Sequence, residues 1–132
     1  MRTLIVEDDY TSRLLLQEFL SQYGECEVAV NGREAVKAFR TALEESRKYD
    51  LMCMDILMPE MNGHQAAAMI RAIERVERIL PKAHVKIFMT TALNNKDNVI
   101  RSAREACNAY LVKPIDTSVL LSNLKSFGLV PG

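Results

Sequence analysis

Neither sign of charge dominates this chain. Its 17 basic residues balance 17 acidic ones among 132. It therefore lacks the electrostatic footprint of a protein that binds nucleic acid directly. Long apolar runs are also missing, and those present fall far short of a membrane span. The N-terminus leads straight into a strand-like run with no signal-peptide pattern, so the expected location is the cytoplasm. Cysteine is sparse. Cys26, Cys53 and Cys107 are odd in number and scattered, with no CxxC or Cys/His ligand spacing. That argues against zinc and reads as three reduced thiols, with Cys53 a small core residue. There is no long linker and no second composition regime, so residues 1–132 read as one domain.

What is present alternates. Thr3-Leu4-Ile5-Val6 is a β-branched apolar run and reads as a buried strand. Similar runs follow at 26–30, 51–54, 85–89 and 109–112. Between them lie stretches with apolar residues at helical spacing, over about 10–23, from Asn31-Gly32 onward, 66–80 and 95–107. A last one covers 116–127. Ala67, Ile70, Ile73 and Val76 suit the inner face of the third helix. Its charged end, Arg71 to Arg78, reads as projecting into water. Asp9 and Asp116 are placed to cap helices. Five strand–helix units predict an α/β fold, a doubly wound, flavodoxin-like (βα)5 parallel sheet in the order 2-1-3-4-5.

That order brings particular side chains to one edge. Strand one ends in Glu7-Asp8 and strand three in Asp55, at the mouth of a loop shaped by Pro59 and Asn62-Gly63. Taken alone, Asp55 could cap a turn or serve a ligand. Carboxylates gathered at one edge repel, and protonation or a cation must relieve them. An all-oxygen set suits Mg²⁺. Strand four adds the Thr91 hydroxyl and strand five the Lys113 ammonium. Thr90 is set aside, because strand alternation turns it away from Thr91. A carboxylate nucleophile, a metal, a hydroxyl and an ammonium suit transfer of a phosphoryl group onto a carboxylate.

Glu7-Asp8 after Leu4-Ile5-Val6, Asp55-Ile56-Leu57-Met58-Pro59, Gly63, Thr91-Ala92, Tyr110 and Lys113-Pro114 stand in the order of a known pattern. Over about residues 2–127 the chain resembles the receiver domain of two-component response regulators, most of all stand-alone regulators of the chemotaxis type. The resemblance implies that Asp55 accepts a phosphoryl group from a histidine kinase or histidine phosphotransfer protein. It implies Mg²⁺ held by Asp8, Asp55 and the Leu57 carbonyl, with Glu7 acting through water. Lys113 would pair with a phosphoryl oxygen, Thr91 and the Ala92 N–H would follow the phosphoryl group, and Tyr110 would turn inward as a switch. The Lys113-Pro114 bond would be cis. Tyr110 as an ordinary half-exposed strand aromatic remains the alternative.

The implied protein is a phosphoacceptor that promotes its own phosphotransfer rather than an enzyme. Leu57 and Leu93 would hinder water, making self-dephosphorylation slow. Output would pass through helix four, strand five and helix five to a downstream protein, or onward as the phosphoryl group itself. A homodimer through the same face is left open. Two chemical rivals fare worse. A flavin carrier needs a glycine-rich phosphate loop where Glu7-Asp8-Asp9 stands, and a haloacid-dehalogenase-type phosphatase needs a second aspartate where Leu57 stands. A receiver-like binding module that works without phosphorylation remains the second reading.

Overall fold

The computed structural model describes residues 1–92 and 106–132. Five strands, β1 (Thr3–Val6), β2 (Cys26–Ala29), β3 (Leu51–Asp55), β4 (Lys86–Ala92) and β5 (Ala109–Lys113), form one sheet in the order β2-β1-β3-β4-β5. Every neighbouring pair is parallel. Helices α1 (Tyr10–Leu20), α2 (Gly32–Glu44), α3 (Gly63–Val76) and a C-terminal helix (Thr117–Ser126) complete the described elements. The helix expected over about 95–107 falls almost wholly outside them.

Alternation along the strands divides the core in two. Val6, Met54 and Met89 point to the side of Phe39 and Ile70, which belong to α2 and α3. Ile5, Cys53 and Phe88 point to the other side, against Leu16 and Leu20 of α1 and Leu120 and Leu124 of the C-terminal helix. The helices start where short polar side chains satisfy their free amides. Asp9 accepts from Ser12 N at 3.1 Å and Asp116 from Ser118 N at 2.8 Å, as expected. Asn62 and Gln65 form a reciprocal capping box that starts α3 at Gly63, three residues before the predicted Ala66.

The far end of α3 departs from expectation. The helix stops at Val76, not Leu80, and Arg78 follows with φ +57°. Val76, placed on the inner face by periodicity, is 78% exposed, while Glu74 is 1% exposed. The charged end of α3 is therefore not simply a solvated face. Glu74 accepts from Arg71 Nη1 at 2.7 Å and from Val85 N at 2.8 Å. Arg71 also donates to the carbonyls of Ala106 (3.0 Å) and Val85 (2.8 Å) and to Asn108 Oδ1 (3.0 Å). A buried charge needs such pairing, and here it ties α3 to the starts of β4 and β5.

Gly63 marks the tightest approach in the site loop. A Cβ there would lie 2.7 Å from the Asp55 carbonyl oxygen and 3.0 Å from Ile56 Cα. Gly63 N also donates to Ile56 O at 2.8 Å. Gly63→Ala is expected to cost about 1–3 kcal/mol in urea unfolding, because the backbone carrying Asp55 must move. Unchanged stability would contradict this packing.

Candidate functional site

The site stands at the carboxyl edge of β1, β3, β4 and β5, where the order β2-β1-β3-β4-β5 reverses direction. Glu7 directly follows β1, and Asp55 is the last residue of β3. Glu7 is fully buried, Asp55 nearly so, and Asp8 is exposed. One carboxylate oxygen from each of the three lies within 4.8 Å of the others. Lys113, the last residue of β5, reaches between them. Its Nζ donates to Glu7 Oε1 at 2.8 Å and to Asp55 Oδ2 at 3.3 Å.

Burial pushes the Glu7 carboxyl up to about 7, against the Lys113 hydrogen bond, which lowers it. Burial also disfavours the Lys113 ammonium, yet the bond to Glu7 and the charge of Asp55 prevail and raise its pKa. Three carboxylates against one ammonium leave two negative charges without a partner when all are ionised. The donor set is entirely oxygen, and the residual charge matches one divalent cation, so these residues fit Mg²⁺.

The raised Glu7 pKa has a definite sign. Between the ordinary value of 4.5 and about 7, the metal-free folded chain holds more protons than the unfolded chain. Stability from this group therefore falls as pH rises through that window. In chelator, raising the pH from 5.5 to 8 is expected to lower the Tm roughly 5 °C further in the parent chain than in Glu7→Gln. Equal changes in the two proteins would remove Glu7 as the cause.

The remaining predicted residues are placed as follows. Leu57 N donates to Asp55 Oδ1 at 3.2 Å, and the Leu57 side chain is 57% exposed at the mouth of the site. The buried Thr91 hydroxyl donates to the Ala92 carbonyl at 3.3 Å, not to the acids. Ala92 pairs with Lys113 at the edge of the sheet, and Tyr110 sits lower on β5, opposite Met89. Tyr110 is half-buried. The Lys113-Pro114 bond is cis, as expected. Leu93 lies outside the described residues.

Sequence reasoning missed Thr90. Alternation does turn it away from Thr91, but that direction is toward Glu7. Register pairs Asp55 with Thr90, which puts the two on one face of the sheet. The buried Thr90 hydroxyl donates to Glu7 Oε2 at 3.4 Å. Applying alternation to Glu7 and Asp55 as well as to Thr91 is the signal that could have found it. Thr90→Val is expected to weaken Mg²⁺ binding about threefold by calorimetry, with Thr90→Ser restoring it. An unchanged affinity in Thr90→Val would make the contact incidental.

Fold, site and comparison now agree on a class. The model of the response regulator receiver domain matches residues 3–125, and the chain belongs to that family. It is 35% identical over 126 residues to the chemotaxis protein CheY of Thermotoga maritima, covering 93% of each chain. Among solved structures it is similar to the yeast receiver domain of Ssk1, crystallised with the histidine phosphotransfer signalling protein Ypd1. There the TM-score is 0.78 and the identity 28%, over 98% of this chain and 89% of that one. It is also similar to the receiver domain of the sensor histidine kinase PA1611 from Pseudomonas aeruginosa, which has a magnesium ion coordinated in its active-site cleft. The TM-score is 0.75 and the identity 26%, over 96% and 95% of the two chains.

Proposed function

We propose that this chain is a response regulator receiver that takes a phosphoryl group onto Asp55. The observation that carries the reading is the joint placement of Asp55, two further carboxylates and Lys113 within contact range at one sheet edge. A histidine kinase or histidine phosphotransfer protein is the donor. An Asp55 oxygen forms the new P–O bond as the donor's P–N bond breaks, and the freed histidine takes up a proton. Bound Mg²⁺ supplies charge neutralisation for the transferring oxygens. Glu7, Asp8, Asp55 and the Leu57 carbonyl are the groups that would hold it, Glu7 through water. Lys113 exchanges its Asp55 contact for a phosphoryl oxygen, and the Ala92 N–H meets another.

The new charge favours a state in which Thr91 and Tyr110 have moved inward. The surface that changes carries β5 and the C-terminal helix; the helix expected between β4 and β5, which would complete it, lies outside the described residues. A downstream protein, a next phosphoacceptor or a second copy reads it. Slow self-dephosphorylation follows from the apolar Leu57 side chain at the mouth of the site hindering water, in a chain that acts in the cytoplasm. No described helix is long and apolar enough to cross a membrane.

Incubation with acetyl phosphate and Mg²⁺, followed by intact-mass measurement, tests the reading. A gain of one phosphoryl group that needs Mg²⁺ supports it. Failure to label, with partner binding intact, would favour a module that works without phosphorylation.

A further inference from the structure

We infer that the groove between α2 and α3 docks an amphipathic helix of a partner protein, one with acidic residues along one edge. On α3, Met69, Ala72, Ile73 and Val76 recur at i, i+3, i+4 and i+7. That spacing normally marks a stripe facing a core. Ala66, Ala67 and Ile70 of α3 are fully buried, and Ile73 is half-buried against the same core. The apolar surface of the helix therefore widens beyond its core-facing stripe to the exposed Met69 and Val76. Met69 is 38% exposed and Val76 78% exposed. Together with Leu43 of α2, this stripe lines a groove of about 460 Å³. Its anchors have the spacing that a helix laid in a groove would read.

Charge selects the occupant. Arg33, Lys37 and Arg40 follow one another at i, i+4 and i+7 along the exposed edge of α2. Arg40 lines the groove, and all three line its continuation toward Met61, a further 350 Å³ or so. None of the three has a carboxylate partner in an ion pair among the described residues. Glu44, one turn beyond Arg40, lines both the groove and its continuation, and Glu77 lines the groove, so the basic row outnumbers the acids along the α2 edge. An incoming helix with an apolar stripe and an acidic edge satisfies both the floor and the basic row. A second copy of this chain would bring its own Arg33, Lys37 and Arg40 to the seam. The groove lies on the α2–α3 side, away from β5 and the C-terminal helix, so this contact is separate from the switch surface proposed above.

The test uses the full chain labelled with ¹⁵N and two synthetic helical peptides of about 18 residues. Both carry leucine at i, i+3, i+4 and i+7, one with glutamate along the flanking edge and the other with lysine. The glutamate peptide is expected to saturate with Kd below about 100 µM, shifting the amides of Leu43, Met69, Ile73 and Val76. The lysine peptide should bind at least about tenfold more weakly. The exposed double variant K37E/R40E should reverse that preference. Four outcomes overturn the inference. They are no saturable shift, equal binding of both peptides, shifts centred on another face, and self-association that occupies the groove, seen by sedimentation.

Discussion

Asp55→Asn will carry no phosphoryl group after incubation with acetyl phosphate and Mg²⁺, where the parent chain gains one. The argument is chemical and local. The acceptor must be an oxygen nucleophile close to both the ammonium and the other carboxylates. Asp55 meets this, with Oδ2 3.3 Å from Lys113 Nζ and Oδ1 held by the Leu57 amide. Among the described residues, Glu7 is the other carboxylate that touches Lys113, and it is fully buried, with its oxygen 2.8 Å from the ammonium. An amide at position 55 keeps the size and loses the nucleophile. Intact-mass measurement reads the outcome directly. Labelling of Asp55→Asn at the parent level would move the acceptor elsewhere and sink the assignment.

Lys113→Ala is expected to have the second largest effect, through two opposed readouts. Its ammonium bridges Glu7 and Asp55. Its removal leaves two buried carboxylates facing each other. Breaking a fully buried pair costs about 3–5 kcal/mol. Lys113 is partly exposed, so about 2–4 kcal/mol is expected in urea unfolding with chelator present. Mg²⁺ should return much of that loss, because the metal meets one more uncompensated charge. Its affinity should rise rather than fall. Phosphorylation should persist, while partner binding ceases to follow it. Unchanged metal-free stability, or weaker Mg²⁺ binding, would show that Lys113 is not the counter-ion of the unphosphorylated site.

Much of the architecture could be read in the chain because local and global signals agreed. Apolar runs bounded by acids, turn pairs and cap residues led to the five parallel strands and their order. The strand ends then brought Glu7, Asp8, Asp55 and Lys113 together without any contact being known. What escaped depended on partners distant in sequence. Thr90 was judged by its neighbour Thr91, whereas its place is set by pairing with Asp55, 35 positions earlier. Glu74 sits in a run of charges and looks solvated. Its acceptor role comes from Val85 N, 11 positions on, and from an arginine one turn earlier. Val76 fits the helical period of the buried face, but α3 ends there and the chain turns away. In each case periodicity named a side of an element and could not say what stood opposite.

Arg71 sets where this fold can be cut and rejoined. A chimera that exchanges the sheet's last strand and final helix for those of a relative would naturally be spliced at Ala109. That junction separates β5 from nothing visible in the strand itself. Yet the guanidinium of Arg71 is bound by Ala106 and Asn108, and Asn108 Oδ1 also receives Ile87 N at 2.8 Å. The transferable unit therefore begins before Ala106. A graft lacking an acceptor at 108 takes one hydrogen bond from Arg71, which keeps Glu74 and Val85, and leaves an amide of β4 without its side-chain acceptor. Swapped output surfaces will be tolerated according to what they offer Arg71, whatever the quality of their own strand.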